Sequence, residues 1–197
     1  MNIRHLTLPL IASMALLLSA CSKEDAATQT ATPATAIAPA QAYEAVAAQG
    51  KGFTVGALMS ANPVYVLFDP QCPHCGHLWN ASLPLQGKVK FVWLPVAILG
   101  PKSAPQGAAL MQAANPLEAM TAHEASVLAG QGGMSASASV PDEVLASIKA
   151  NTQLLDNLGA DSVPFIVAKH ARSGQSVTKA GALDTRALAE LLGLAAP

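Results

Sequence analysis

Two cysteines three residues apart, Cys72 and Cys75, follow directly on the apolar run Val64-Tyr65-Val66-Leu67-Phe68. The run is β-branched and aromatic with no polar alternation, the pattern of a central strand covered on both faces. Pro63 precedes it, Asp69-Pro70 ends it, and residues 73–85 then read as a helix with Leu78 and Leu85 among its apolar positions. Both cysteines therefore stand where a buried strand gives way to a helix. Cys72 falls at the helix N-terminus, whose unpaired N–H groups and dipole favour an anion. Pro73 suits the first turn, where its missing donor is not needed, and His74 adds a nearby proton donor or positive charge. All three features lower the thiol pKa, and the thiolate is the attacking species. Cys75, one turn along, is close enough to bridge to Cys72 and reads as the less exposed partner. Cys72 is thus the candidate nucleophile and Cys75 the resolving thiol, with Pro73 and His74 tuning them.

Other uses of the pair fit less well. A structural bridge closing a loop of about four residues stabilises by only about 2 kcal/mol. A structural zinc site wants four ligands, usually from two separated pairs. Beside His74 and His77 the chain after residue 20 offers only His123 and His170, each alone. Covalent haem needs histidine directly after the second cysteine, and Gly76 stands there. His77, His123 and His170 read as surface or cap residues, and Trp79 and Trp93 as core or groove wall. No metal or organic cofactor is expected. The redox element is the Cys72–Cys75 disulfide itself.

Along the rest of the chain, residues 43–48 suggest one or two helical turns stopped by Gly50 and Gly52, and residues 89–94 a second strand. Residues 103–158 lack strand signals and are rich in Ala, Leu, Met, Gln and Glu. They read as an insert of two or three helices, interrupted at Pro116 and in the Gly/Ser-rich segment 130–139. Residues 163–168 and 176–179 predict two more strands, and Asp184 caps a last helix carrying Leu188, Leu191 and Leu192. Strand–helix–strand, an all-helical insert, then strand–strand–helix is an α/β, thioredoxin-like fold with an inserted helical subdomain.

The N-terminal part is of another kind. Arg4 and the apolar run 6–18 read as a secretory signal, too short for a comfortable membrane span of roughly 20 residues. It ends in Leu18-Ser19-Ala20-Cys21, which resembles the lipobox of bacterial lipoproteins; cleavage would then leave Cys21 carrying diacylglycerol. Cleavage by an ordinary signal peptidase after Ala20, or retention of the segment as an anchor, are the other readings. Losing residues 1–20 removes Arg4 alone among charged groups, taking the formal charge from −1 to −2. With no basic patch, nucleic acid is not an expected partner. Residues 21–42 are Ala/Thr/Pro-rich without an apolar face, and read as a tether. Residues 43–197 are left as one catalytic domain.

The segment FDPQCPHCGHLW, the helical insert and NLGADSVPFIV together resemble the catalytic domain of the periplasmic disulfide isomerases DsbC and DsbG, the latter especially, over roughly residues 53–193. That resemblance implies thiol–disulfide interchange, a cis peptide bond before Pro164 beside the active pair, and a Val163 backbone that pairs with the substrate chain. Three departures stand out. The tether replaces the N-terminal dimerisation domain of those proteins. Pro73-His74 and Val163-Pro164 look like the corresponding pairs of the oxidase DsbA. Finally, the acid that many relatives carry six residues before the first cysteine is here Val66, which leaves Asp69 as the nearest acidic candidate for moving protons.

Together these readings describe a monomeric, lipid-anchored disulfide donor on the periplasmic side of a Gram-negative envelope. Ser22, by resemblance to lipoprotein sorting, points to the outer membrane. Its partners would be cysteine-containing envelope proteins and a membrane redox protein. The alternatives are a DsbG-like reductase, isomerase or sulfenic-acid reductase, and, in another class, a structural or metal-handling lipoprotein.

Overall fold

The computed structural model describes residues 36–136 and 139–197. The signal, Cys21 and most of the tether lie outside them. Five strands form one mixed sheet in the order β1-β3-β2-β4-β5. They are β1 (Phe53–Gly56), β2 (Val64–Phe68), β3 (Lys90–Pro95), β4 (Phe165–Lys169) and β5 (Ser176–Ala180). β2 and β3 run parallel, joined through α2 (Pro73–Ser82), as a strand–helix–strand crossover requires. The other neighbouring pairs are antiparallel. This is a thioredoxin-like sheet. Val66, Leu67 and Phe68 are all buried in the middle of it, as a strand apolar on both faces should be.

Packing explains the strand choices. Trp93 of β3 meets the Trp79 ring of α2 edge-on at 5.2 Å and the Phe68 ring at 5.5 Å, so both tryptophans belong to the core. Phe53 closes the row against Phe68 at 6.0 Å. β1 was not foreseen from sequence. It is four residues long, and the chain enters it at Gly52, where an added Cβ would sit 2.0 Å from the Trp93 carbonyl oxygen. Only glycine admits that approach of backbone to backbone.

The insert consists of α3 (Ser103–Met111), α4 (Pro116–Leu128) and α5 (Asp142–Asn157). Asn115 caps α4, accepting from the Glu118 amide, and Pro116 opens its first turn rather than interrupting a helix. Asn151 of α5 is fully buried. It donates to the carbonyls of Lys51 (2.6 Å) and Pro95 (3.0 Å) and accepts from the Lys51 amide (3.0 Å), clipping the insert to the sheet. The last helix, α6 (Thr185–Leu191), is capped by Asp184, which accepts from the Ala187 amide at 2.8 Å.

The packed chain begins earlier than Tyr43. Ile37 donates its amide to the Asn157 carbonyl at 2.7 Å, a 3₁₀ turn covers Pro39–Gln41, and Ala42 is already buried at the start of α1 (Ala42–Gln49). The final residues assigned to the tether are therefore part of the fold. One apolar side chain, Ile37, and a few backbone bonds suffice to dock them.

Candidate functional site

The carboxyl end of β2 delivers the chain into the turn Asp69-Pro70-Gln71 and then into α2. Cys72 is the N-cap residue, with extended backbone (φ −94°, ψ 112°), and Pro73 occupies the first helical turn. Cys72 is only 5% exposed and Cys75 is fully buried, while Pro73 and His74 face solvent. The sequence-derived order of the two thiols, one reachable and one enclosed, is the order found.

Their electrostatics diverge. The Cys72 thiol is lowered to about 6, chiefly because its sulfur accepts a hydrogen bond from the Cys75 side chain. The backbone N–H groups of Cys75 and His74 add to this, the His74 charge adds least, and burial opposes it. The helix N-terminus thus acts through specific N–H groups, with the neighbouring thiol ahead of both. Burial pushes Cys75 well above the ordinary thiol range, and the bond it donates to Cys72 holds its proton further. Near neutral pH the site is one thiolate and one thiol.

Val163 and Pro164 lie against the pair. The Val163–Pro164 peptide bond is cis, as the resemblance implied, and the Val163 carbonyl oxygen stands 3.6 Å from Cys72 Sγ. Pro164 is buried, and its carbonyl accepts from the Gly181 amide at 2.8 Å.

Asp69 is buried, but its carboxylate is committed elsewhere. It accepts from the amides of Gln71 (2.8 Å), Ile98 (2.8 Å) and Leu99 (3.0 Å) and from the Ser103 hydroxyl (2.7 Å). These bonds pin the turn before Cys72 to the loop between β3 and α3. The expectation that Asp69 moves protons is corrected on this ground: with both oxygens doubly bonded, it holds a loop. Leu99, on the far side of those bonds, is 54% exposed beside the site.

Two insert residues missed in the sequence complete the surroundings. His123 of α4, read as a surface or cap residue, is fully buried. Its Nδ1 accepts from the Met134 amide at 3.1 Å, so Nε2 carries the proton and donates to the Pro70 carbonyl at 2.7 Å. Burial lowers its pKa and keeps the ring neutral. The second is Glu124, also fully buried, whose two carboxyl oxygens have no hydrogen-bond partner among the described residues. Burial raises this carboxyl to about 9, with the charges of Cys72 and Asp69 contributing. A signal was present in the sequence: His123 and Glu124 fall on the same helical stripe as Met120 and Val127, where a charged side chain is out of place. Beside them, Gln71 donates to Gln106 and, at 3.1 Å, to the Gly132 carbonyl, joining the turn to the insert's Gly-rich segment.

No family model matches the chain. Two curated proteins do, each named thiol:disulfide interchange protein DsbG. The one from Pseudomonas aeruginosa is 31% identical over 136 residues, covering 66% of this chain and 50% of the relative. The one from Escherichia coli is 33% identical over 105 residues, covering 52% and 42%. The chain thus spans half or less of the length of these relatives. Among solved structures, the thiol-disulfide exchange protein α-DsbA2 of Wolbachia pipientis superposes with a TM-score of 0.61 at 18% identity, over 79% of this chain and 94% of that one. The catalytic domain of Proteus mirabilis ScsC gives 0.58 at 17%, over 77% and 96%. At these identities the structural likeness carries the fold.

Proposed function

We propose that this chain, a thioredoxin-fold relative of the DsbG thiol:disulfide interchange proteins, exchanges disulfides with envelope proteins through Cys72 and Cys75, and does so as a disulfide donor. The observation that carries the reading is the asymmetry of the pair. A thiol lowered to about 6 is a good leaving group at neutral pH, and its partner beneath it stays protonated. In donation, a client thiolate attacks Cys72 Sγ and the Cys72–Cys75 bond breaks. A second client thiol then displaces Cys72 as thiolate, so that two electrons pass from client to protein. Cys72 is the less enclosed of the two cysteines, and Val163, with its carbonyl beside Cys72, would pair with an extended client backbone. Exposed Pro73, His74 and Leu99 offer the client a mixed polar and apolar rim.

The same reading places the protein on the periplasmic side of the envelope as a monomer held by acylated Cys21, and recharged by a membrane redox partner. The sequence supports the anchor, and the DsbG relatives support the compartment. The test is a pair of assays on the full chain. It should oxidise a reduced, unfolded client stoichiometrically, recover little activity from a scrambled one, and lose both with Cys72→Ser. Its potential against glutathione should lie near about −150 mV or above; a value near about −250 mV would make it a reductase instead.

A further inference from the structure

When the Cys72–Cys75 bond opens, the sulfur of Cys75 leaves as a thiolate into a fully buried position. An anion there is costly unless a proton arrives with it. Water does not reach the atom freely, Val66 occupies the place where many relatives keep an acid, and Asp69 is fully engaged by its four donors. The insert provides another group. Gly76, immediately after Cys75, has no side chain, and α4 closes over it. A Cβ built on Gly76 would lie 2.8 Å from Glu124 Oε2 and 3.0 Å from Leu128 Cγ. Glu124 is therefore brought to the backbone of the residue next to Cys75 by the absence of a side chain, with both oxygens unpartnered among the described residues. The titratable groups that influence it are Cys72, Cys75 and Asp69. α3 and β1, which also pack on α4, carry none in their spans.

We propose that the Glu124 carboxyl is the proton donor to Cys75 when the disulfide opens. This rests on the exchange reading above and names a group that the reading does not. On opening, the client thiolate forms a bond to Cys72 Sγ and the Cys72–Cys75 bond breaks. The electron pair stays on Cys75 Sγ, and the carboxyl proton passes to it through one water, since neither sulfur is within hydrogen-bond distance of the carboxyl oxygens. The carboxylate then regains a proton from solvent. At neutral pH the carboxyl is in the acid form that opening needs, since burial, the largest cause of its raised pKa, acts in the disulfide form as well.

The experiment is stopped-flow opening of the disulfide in the full chain by dithiothreitol, followed by tryptophan fluorescence across pH and corrected for the reductant's own ionisation. Glu124→Gln keeps the shape and removes the acid. It should slow opening at pH 7 by about tenfold or more, and abolish the fall in rate that the wild type shows at alkaline pH as the carboxyl ionises. Glu124→Asp should recover part of the rate. A purely structural glutamate would leave the corrected pH profile unchanged. Opening by the Gln variant within twofold of wild type across the range overturns the assignment of Glu124 alone. A wild type whose disulfide does not exchange with a thiol client overturns the exchange reading, and this proposal with it. Infrared difference spectra of the wild type, oxidised against reduced, read the group without mutation. A protonated-carboxyl stretch that shifts between the states at pH 7 and is lost at alkaline pH supports the proposal; no such band overturns it.

Discussion

Replacing Cys75 with alanine removes the first-ranked cause of Cys72 acidity, the hydrogen bond its thiolate receives from the buried thiol. Hydrogen bonds to charged groups are worth about 1.5–3 kcal/mol. At about 1.36 kcal/mol per pKa unit, losing one raises the Cys72 pKa by about one to two units. From about 6 in the wild type, the midpoint should move to between about 7 and 8. The thiolate fraction at pH 7 then falls from about nine-tenths to half or less. Cys75→Ser keeps an O–H donor in the same place and should stay within about half a unit of wild type. His74→Ala removes the smallest contribution and should shift the midpoint upward by less than Cys75→Ala does. The assay is ultraviolet thiolate titration, checked by the pH dependence of iodoacetamide alkylation. A Cys75→Ala midpoint equal to that of wild type would refute the reasoning and return the tuning to the helix terminus. The same number bounds the driving force. A thiol at about 6 is in about tenfold excess as thiolate at pH 7, which favours the dithiol by about 1.4 kcal/mol or about 30 mV. Reactive pairs of this kind span about 150 mV in potential, so thiolate stabilisation supplies about a fifth of that range here. A potential near about −150 mV therefore needs a further contribution from the surroundings of the pair.

Two further outcomes are expected. Asp69→Asn replaces an acceptor-only group with one whose amide hydrogens face N–H and O–H donors. It should destabilise the fold by about 3 kcal/mol in urea unfolding while leaving the Cys72 titration within about half a unit of wild type; an undisturbed fold with an altered exchange profile would restore Asp69 to proton transfer. Cys21→Ser should abolish palmitate labelling and membrane fractionation without reducing exchange activity, and equal labelling of the two proteins would remove the anchor.

How much of this was legible in the sequence depended on whether a segment spoke for itself. β2 and α6 did: one is an unbroken β-branched and aromatic run, the other opens with an aspartate that caps it. The place of the cysteine pair at the end of β2 and the start of α2 was legible because motif, proline and helix start all lie within a few residues. β1 was silent, with only Phe53 and Val55 alternating inward between two glycines. Ile37 was silent too, one apolar residue in an Ala/Pro/Thr context whose docking depends on the end of α5. The surroundings of the site failed for a different reason. Asn151 and His123 are polar residues that bond to carbonyls between about 50 and 100 positions away, and Glu124 has no hydrogen-bond partner among the described residues. Nothing local announces them except their place on the apolar stripe of a helix. Asp69 was judged by its closeness in sequence to Cys72, whereas its four donors come from three separate segments.

Gly76 ties two distant parts of the chain into one inheritable unit. With glycine there, α4 can lie directly on the start of α2, and an acid of glutamate length fits over the thiol pair. Any larger residue at 76 would press on the Glu124 carboxyl and on Leu128, so the two positions cannot drift independently. A descendant that gained bulk beside its second cysteine would have to shorten or lose the acid on the insert, or move the helix that bears it. The four-residue motif is thus only part of what must be copied for the site to be kept; the rest is a vacancy in one helix and the side chain in another that occupies it.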